Sequence, residues 1–183
     1  AGDYYFFLTE QGIEFQGRSS RLLSEVIKKS RHDIRVDNDP VIHAVISAAN
    51  WNQGAETVLY RLMDELKLIR RFATEETAYY LLTVERPQLL WDPARFSLGD
   101  GNGTFMIGEE SLSLDNASVA DLAFRLSEVM DHPVYTEYPP VDRHDWQVHY
   151  KYFNLAREQL ANDYGIRIEL KTGPREVQYF SAE

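Results

Sequence analysis

The residues best suited to metal binding lie in one stretch of the second half of the chain. Three of the five histidines occur there among aspartates, and the set is His132, His144, His149, Asp131, Asp142 and Asp145. Imidazole and carboxylate groups together suit zinc or iron. Their spacing matches no established metal motif, and strand alternation puts His149 opposite Trp146 and Val148, at a half-solvated surface. We therefore predict no metal ion and no other cofactor.

The serines and acidic residues do not have the pattern of a catalytic centre. No Gly-x-Ser-x-Gly sequence occurs, and helix capping explains Ser19, Ser20 and Ser118. Acidic pairs such as Glu75-Glu76 fall at predicted turns or solvent faces, where carboxylates keep ordinary pKa values. The sequence therefore predicts a non-enzyme without catalytic residues. A hydrolase with its site between two repeats is a distant alternative, which would need a deep polar cleft.

Composition restricts the partners of this 183-residue chain. With 44% hydrophobic and 26% charged residues it is expected to bury a core. Its net charge of −10 opposes binding to nucleic acid or to an anionic bilayer, so we predict no nucleic-acid partner. The chain lacks an apolar run long enough to span a membrane, and it starts at Ala1-Gly2 without a Met. We treat it as a fragment, with membrane contact only through an anchor that is missing from the sequence.

Turn signals and hydrophobic periodicity predict six strands and two helices in the first half. Ser19 or Ser20 is expected to cap the first helix, and Asn52 is expected to cap the second. Glu25 is expected on the solvent face of the first helix. The predicted order is a hairpin over Tyr4 to Gln16, a helix over Ser19 to Lys29, strands over Ile34 to Val36 and Val41 to Ser47, a helix from Asn52 to Leu66, and a hairpin of Leu68 to Phe72 with Thr77 to Thr83.

The second half repeats this order at an offset of about 100 residues. Ser118 is expected to cap its first helix with Asp121, and Asn154 its second. Ala156 and Leu160 are matched with Ala55 and Leu59, and Ile166 to Leu170 pairs with Val177 to Phe180 in a closing hairpin. The predicted fold is α+β, with two tandem β-α-β-β-α-β(-β) units, each a small sheet covered by two helices. The predicted division is 1–85, a linker over 86–95, and 96–183.

Two segments carry resemblances to known families. Gly12 to Thr83 resembles the secretin and TonB N-terminal (STN) domain of the bacterial envelope, through the helix Ser20-Arg21-Leu22-Leu23-Ser24-Glu25-Val26-Ile27 and the helix start Gly54-Ala55-Glu56-Thr57-Val58-Leu59. The second half is similar to an uncharacterised, soil-associated family of predicted secreted bacterial proteins, through Ser118 to Ala123, His132-Pro133-Val134, Asp145 to Val148 and Leu160 to Leu170.

The resemblances imply an extracytoplasmic location, periplasmic or secreted, and a non-enzymatic role in docking an envelope protein partner. Aromatic residues are the candidate partner surface, because Tyr and Trp are enriched at interface hot spots. The candidates are Tyr4, Tyr5, Phe6, Phe7, Tyr135 and Tyr138. Packing between the two repeats explains the same residues equally well. The alternative function is a small-ligand or glycan-binding extracytoplasmic domain using Trp51, Trp91 or Trp146.

Overall fold

A computed structural model describes residues 5–90, 104–140 and 142–182 of the chain. The first half follows the predicted order up to its closing strand, with a short helical turn at Arg31–Asp33 and one additional short helix. Its elements are β1 (Tyr5–Thr9), β2 (Gly12–Arg18), α1 (Ser19–Ile27), β3 (Ile34–Val36), β4 (Val41–Ser47), α2 (Ala48–Trp51), α3 (Ala55–Leu66) and β5 (Leu68–Val84).

The described second half repeats that order of strands and helices. Its elements are β6 (Thr104–Ile107), β7 (Ser111–Ala117), α4 (Val119–Val129), β8 (Val134–Thr136), β9 (His144–His149), α5 (Phe153–Tyr164) and β10 (Ile166–Ala182). The α+β class is thereby confirmed. The predicted Asn102-Gly103 turn before β6 lies outside the described residues.

The described strands form three sheets, with orders β1-β2-β4, β6-β7-β9 and β3-β10-β5-β8. In each half, the strand before the first helix pairs antiparallel with the strand before the second, as β2 with β4 and β7 with β9. The short strands pair differently. β3 lies parallel to β10, and β8 lies parallel to β5, so each short strand pairs with the closing strand of the other half. The repeat had predicted one separate sheet in each half. The observed pairing of the short strands differs from that prediction.

The predicted closing hairpins are wrong, because β5 and β10 are each one continuous strand. Polar residues at Thr74-Glu75-Glu76 had indicated a turn, yet Glu75 is held in the strand by side-chain contacts. Its carboxylate accepts hydrogen bonds from the Tyr179 hydroxyl and from Arg35, the latter at 3.2 Å. Gly173, in the other predicted turn, does not adopt the positive φ that such a turn often uses.

The chain divides into two compact units, and each is described on its own. The first unit contains the residues up to Glu75 and those from Pro174 onward, whereas the second runs from Glu76 to Gly173. This division differs from the predicted 1–85 and 96–183, because the unit boundaries fall within β5 and β10. The described core of the first unit comprises Phe15, Leu22, Leu23, Val26, Ile34, Val58, Leu59 and Phe180.

Helix starts correct several predictions made from single residues. Ser19 and Ser20 lie in the first turn of α1, and the Asp39 carboxylate accepts the hydrogen bond from the Ser20 N–H at 2.9 Å. Asn52 and Asn154 cap neither long helix, since α3 begins after Gly54 and α5 after Tyr152. The predicted pair of Ser118 and Asp121 is confirmed as a reciprocal capping box. The Ser118 N–H donates to the Asp121 carboxylate at 3.0 Å, and the Asp121 N–H donates to the Ser118 hydroxyl at 3.1 Å.

Glu25, predicted on the solvent face of α1, is instead buried with 1% of its surface exposed. Its carboxylate lies 3.4 Å from the Lys28 ammonium, one turn along the chain.

None of the described helices is long and apolar enough to cross a membrane.

Candidate functional site

The candidate site is the free edge of β4 and the groove beside it, all within the first unit. β4 is the last strand in the order β1-β2-β4, so among the strands that the structure describes none pairs with the other side of its backbone. Its side chains alternate between exposed and half-buried, and Val45 is 74% exposed. An edge strand of this kind offers a row of backbone donors and acceptors to another chain. We call this strand edge and its groove the β4 groove.

Hydrogen bonds at both ends of β4 fix which backbone groups point outward. The Ala48 N–H donates to the Gln11 carbonyl at 3.0 Å, and the Pro40 carbonyl accepts from Ser19 at 2.9 Å. Backbone groups alternate in direction along an antiparallel strand. The even-numbered residues of β4 therefore bond to β2. The backbone groups of His43 and Val45 point away from it.

The corresponding strand of the second unit, β9, is closed by side chains from α5. The Gln147 N–H donates to the Tyr164 hydroxyl at 2.9 Å, and the His149 N–H donates to Gln159 Oε1 at 2.8 Å. Gln159 Nε2 also donates to the Gln147 carbonyl at 2.8 Å. These side chains satisfy both outward backbone groups of Gln147 and the N–H of His149, which hinders a partner strand from pairing along this edge.

Strand pairing and helix length establish which residues of the two units correspond. Phe15 pairs with Ala44 as Leu114 pairs with Trp146, so Ala44 corresponds to Trp146 and Val45 to Gln147. The helices α3 and α5 have equal length, and each ends in a left-handed residue directly before a closing strand.

This helix alignment matches Val58 with Ala156 and Leu62 with Leu160, which corrects the match to Ala55 and Leu59 made from the sequence. It also places Arg61 at the position of Gln159 and Leu66 at that of Tyr164. Neither side chain makes a hydrogen bond to the backbone of β4 within the part of the chain that the structure describes.

Differences at two corresponding positions explain the groove beside β4. In the second unit, Trp146 is buried and its ring lies 4.9 Å from that of Tyr164, which fills the space between β9 and α5. In the first unit the smaller side chains Ala44 and Leu66 stand at those positions. The resulting groove has a volume of about 740 Å³. Its lining comprises Ile42, His43, Ala44, Val45, Ile46, Asn50, Val58, Arg61, Leu62, Asp64, Glu65 and Leu66.

The outer face of the first sheet continues from the β4 groove. Phe7 is 57% exposed and stacks on Tyr5 at 5.1 Å between ring centroids. His43 lies beside them, and its Nε2 is 3.0 Å from Glu14 Oε1. The hydrogen bond from His43 lowers the pKa of the Glu14 carboxyl below its ordinary value. An apolar surface with one polar pair therefore borders the open edge.

The structure separates the predicted aromatic surface into different environments. Tyr5 and Phe7 lie on the outer face of the first sheet, while Phe6 packs against the first core, with its ring edge-on to Trp51 at 6.3 Å. Tyr4 lies outside the described residues. Only part of the Tyr4–Phe7 segment is thus available as a contact surface.

Tyr135 and Tyr138 lie in the second unit and are half-buried. The Tyr135 ring lies 5.6 Å from that of Tyr79, and Tyr138 packs against the second core. The tyrosines therefore contribute to packing within their own unit.

The sequence patterns did not predict the β4 groove itself.

The histidines considered for metal binding are placed in separate environments. His132 lies 3.7 Å from Asp131, whose other carboxylate oxygen accepts a hydrogen bond from Tyr80 at 3.0 Å. His149 stacks on the Tyr152 ring at 5.6 Å, and His144 is buried beside Trp146. Among the described residues, no three His, Asp or Glu side chains are grouped to hold a metal ion.

Burial of His144 predicts a pH dependence of stability. Burial lowers the pKa of His144 below its usual 6.5, and Asp142 and Asp145 oppose the shift less strongly. The unfolded chain therefore binds a proton more readily than the folded chain. We expect His144 to reduce stability as the pH falls below about 6.5, until the folded-state pKa is reached. Urea unfolding of wild type and His144→Gln at pH 7 and pH 5 measures this, and an equal pH dependence in both proteins would contradict it.

The tryptophans proposed for glycan binding offer little exposed ring surface. Trp146 is 3% exposed, and its Nε1–H donates to the Ala117 carbonyl at 2.9 Å. Trp51 is half-buried against the first core, and Trp91 lies outside the described residues. Trp146 therefore offers no ring face to a sugar, whereas part of the Trp51 surface remains exposed.

Comparisons of the chain with protein-family models, with curated proteins and with solved structures found no match.

Proposed function

We propose that this chain is a non-enzymatic protein-interaction module of the bacterial cell envelope, which binds an extended segment of a partner protein along β4. In this mode, called β-augmentation, the partner adds a strand to an exposed sheet edge. Backbone hydrogen bonds supply affinity, and side-chain pockets supply specificity. The envelope location rests on the resemblance to STN domains.

One observation carries the proposal. The edge of β9 is closed by Gln159 and Tyr164, whereas the corresponding edge of β4 is open above a groove. Natural sheets commonly protect their edges, because an open edge invites pairing with other chains. An open edge beside an apolar groove, in a protein that closes the equivalent edge, supports a binding role.

A small-ligand-binding domain is the second candidate, and the size of the groove favours it. A volume of about 740 Å³ is comparable to that of small-molecule pockets, roughly 300 to 1,000 Å³. A ligand confined to the groove would contact the side chains of α3 without needing the outward backbone groups of β4.

A variant that closes the β4 edge tests the proposal. Arg61→Gln together with Leu66→Tyr gives α3 the side chains that α5 uses to close β9. We expect wild-type protein to retain one partner from a bacterial envelope extract at physiological salt, and we expect the closed-edge variant to lose it. Both positions line the groove, outside the most buried part of the first core.

Tyr60→Ala is the matched control, because Tyr60 is 60% exposed on α3 and does not line the groove. This variant should retain the partner. Equal retention by the closed-edge variant would argue against binding at β4. If no protein is retained while a small molecule raises the melting temperature, the second candidate is favoured.

A further inference from the structure

Building on the proposed binding along β4, we infer that the partner segment is extended, places apolar side chains into the groove, and carries basic residues beside α3. Three features support this chemistry of the occupant. They are the alternation of side chains along an added strand, the charges that line the groove, and the net charge of the chain.

Alternation along an added strand determines which side chains enter the groove. Side chains of paired strands lie on the same face at each register position. Those placed beside Ile42, Ala44 and Ile46 would face α3, where the groove offers Val58 and Leu62. The intervening side chains would extend the outer face next to Val45. The partner side chains that face the groove are therefore expected to be apolar where they contact Val58 and Leu62.

The charged lining of the groove favours a cationic partner. Asp64 and Glu65 line it with Arg61, so carboxylates outnumber the guanidinium. Within residues 5–90, 104–140 and 142–182, neither carboxylate forms an ion pair. Both lie in the last turn of α3, where the helix carries partial negative charge; the turn itself holds no basic residue, and Lys67 follows it at the C-cap. A lysine or arginine side chain would meet attraction from both carboxylates and from the helix terminus.

Charge also argues against a second copy of this chain as the occupant. Each copy has a net charge of −10 and would bring its own Asp64 and Glu65 to the interface. Like charges brought together oppose association. A basic segment of another protein lacks this repulsion.

Three labelled peptides test the inference by fluorescence anisotropy. Each alternates valine and threonine, and they differ only in flanking residues, which are Lys, Gln or Glu. At low salt we expect the Lys peptide to bind wild type about tenfold more tightly than the Glu peptide, with the Gln peptide between them. High salt should reduce this ratio, because exposed charges are screened.

The variant Asp64→Asn with Glu65→Gln should bring the Lys and Glu peptides to about equal affinity. The control, Glu56→Gln with Glu158→Gln, changes the net charge equally at exposed positions outside the groove. It should keep most of the preference. A preference unchanged in the Asp64 and Glu65 variant would overturn the inference.

The remaining outcomes distinguish this inference from the proposed function. If all three peptides bind equally and the closed-edge variant binds none, the charge inference fails while binding along β4 stands. If no peptide binds wild type at about 1 mM, both fail. A dimer of wild type that the closed-edge variant abolishes, seen by analytical ultracentrifugation, would identify a second copy as the occupant and overturn the inference.

Discussion

Val45→Pro is expected to weaken partner binding about fivefold to a hundredfold while leaving the protein folded. The Val45 N–H points away from β2, so proline removes a donor that an added strand would use. Loss of one such bond, with a partner acceptor left unsatisfied, costs about 1 to 3 kcal/mol, and 1.4 kcal/mol is tenfold in affinity. The proline ring also prevents a second strand from approaching at this position.

Proline is tolerated on an edge strand where its missing N–H would have faced solvent. Val45 is 74% exposed, so little packing is lost, and we expect stability to change by about 1 kcal/mol or less. Affinity for the partner retained from the envelope extract is measured by titration. Circular dichroism and thermal unfolding establish that the variant is folded.

Val45→Thr is the control for this variant, because threonine is β-branched and keeps the backbone N–H. It should bind as wild type does. A folded Val45→Pro protein with wild-type affinity would exclude hydrogen bonding to this edge, even if the partner contacts the groove.

The order of elements could be predicted from the sequence, because each helix face and strand is encoded locally. The pairing of the closing strands could not. A strand pattern does not specify its neighbour, and the polar triplet around Glu75 is typical of a turn until Tyr179 and Arg35 are brought beside it. These partners are distant in sequence, so the turn signal was misleading.

The candidate site could be predicted only in part. The sequence of β4 is mostly apolar, with Val41 and Val45 on the face opposite Ile42 and Ile46, and such a run is typical of a strand that is covered on both sides. The openness of its edge depends on Arg61 and Leu66 standing where Gln159 and Tyr164 stand in the repeat. Matching α3 with α5 from sequence shifted the helices by three residues, which hid this difference. The equal lengths of the two helices and their left-handed ends were needed to correct it.

Arg175→Met is expected to lower the free energy of unfolding of the first unit by about 3 to 5 kcal/mol. Arg175 on β10 donates a hydrogen bond to the Asp33 carboxylate, and their side chains are 6% and 3% exposed. Asp33 ends the short helical turn before β3, which pairs with β10 at Ile34 to Val36. The substitution leaves a buried carboxylate without this guanidinium, and the loss of an opposite charge is costly where water is excluded.

Adding Asp33→Asn to Arg175→Met separates charge from packing. The double variant keeps nearly the same shape but removes the buried negative charge, so we expect it to recover a large part of the lost stability. Amide hydrogen exchange at Phe15 and Leu22, both in the first core, measures the free energy of opening in that unit. Equal destabilisation of the single and double variants would mean that Arg175 acts through packing of its side chain.

Because β3 and β10 lie in the sheet β3-β10-β5-β8, apart from β1-β2-β4, a loss of partner binding in the folded double variant would contradict the assignment of the site to the β4 groove.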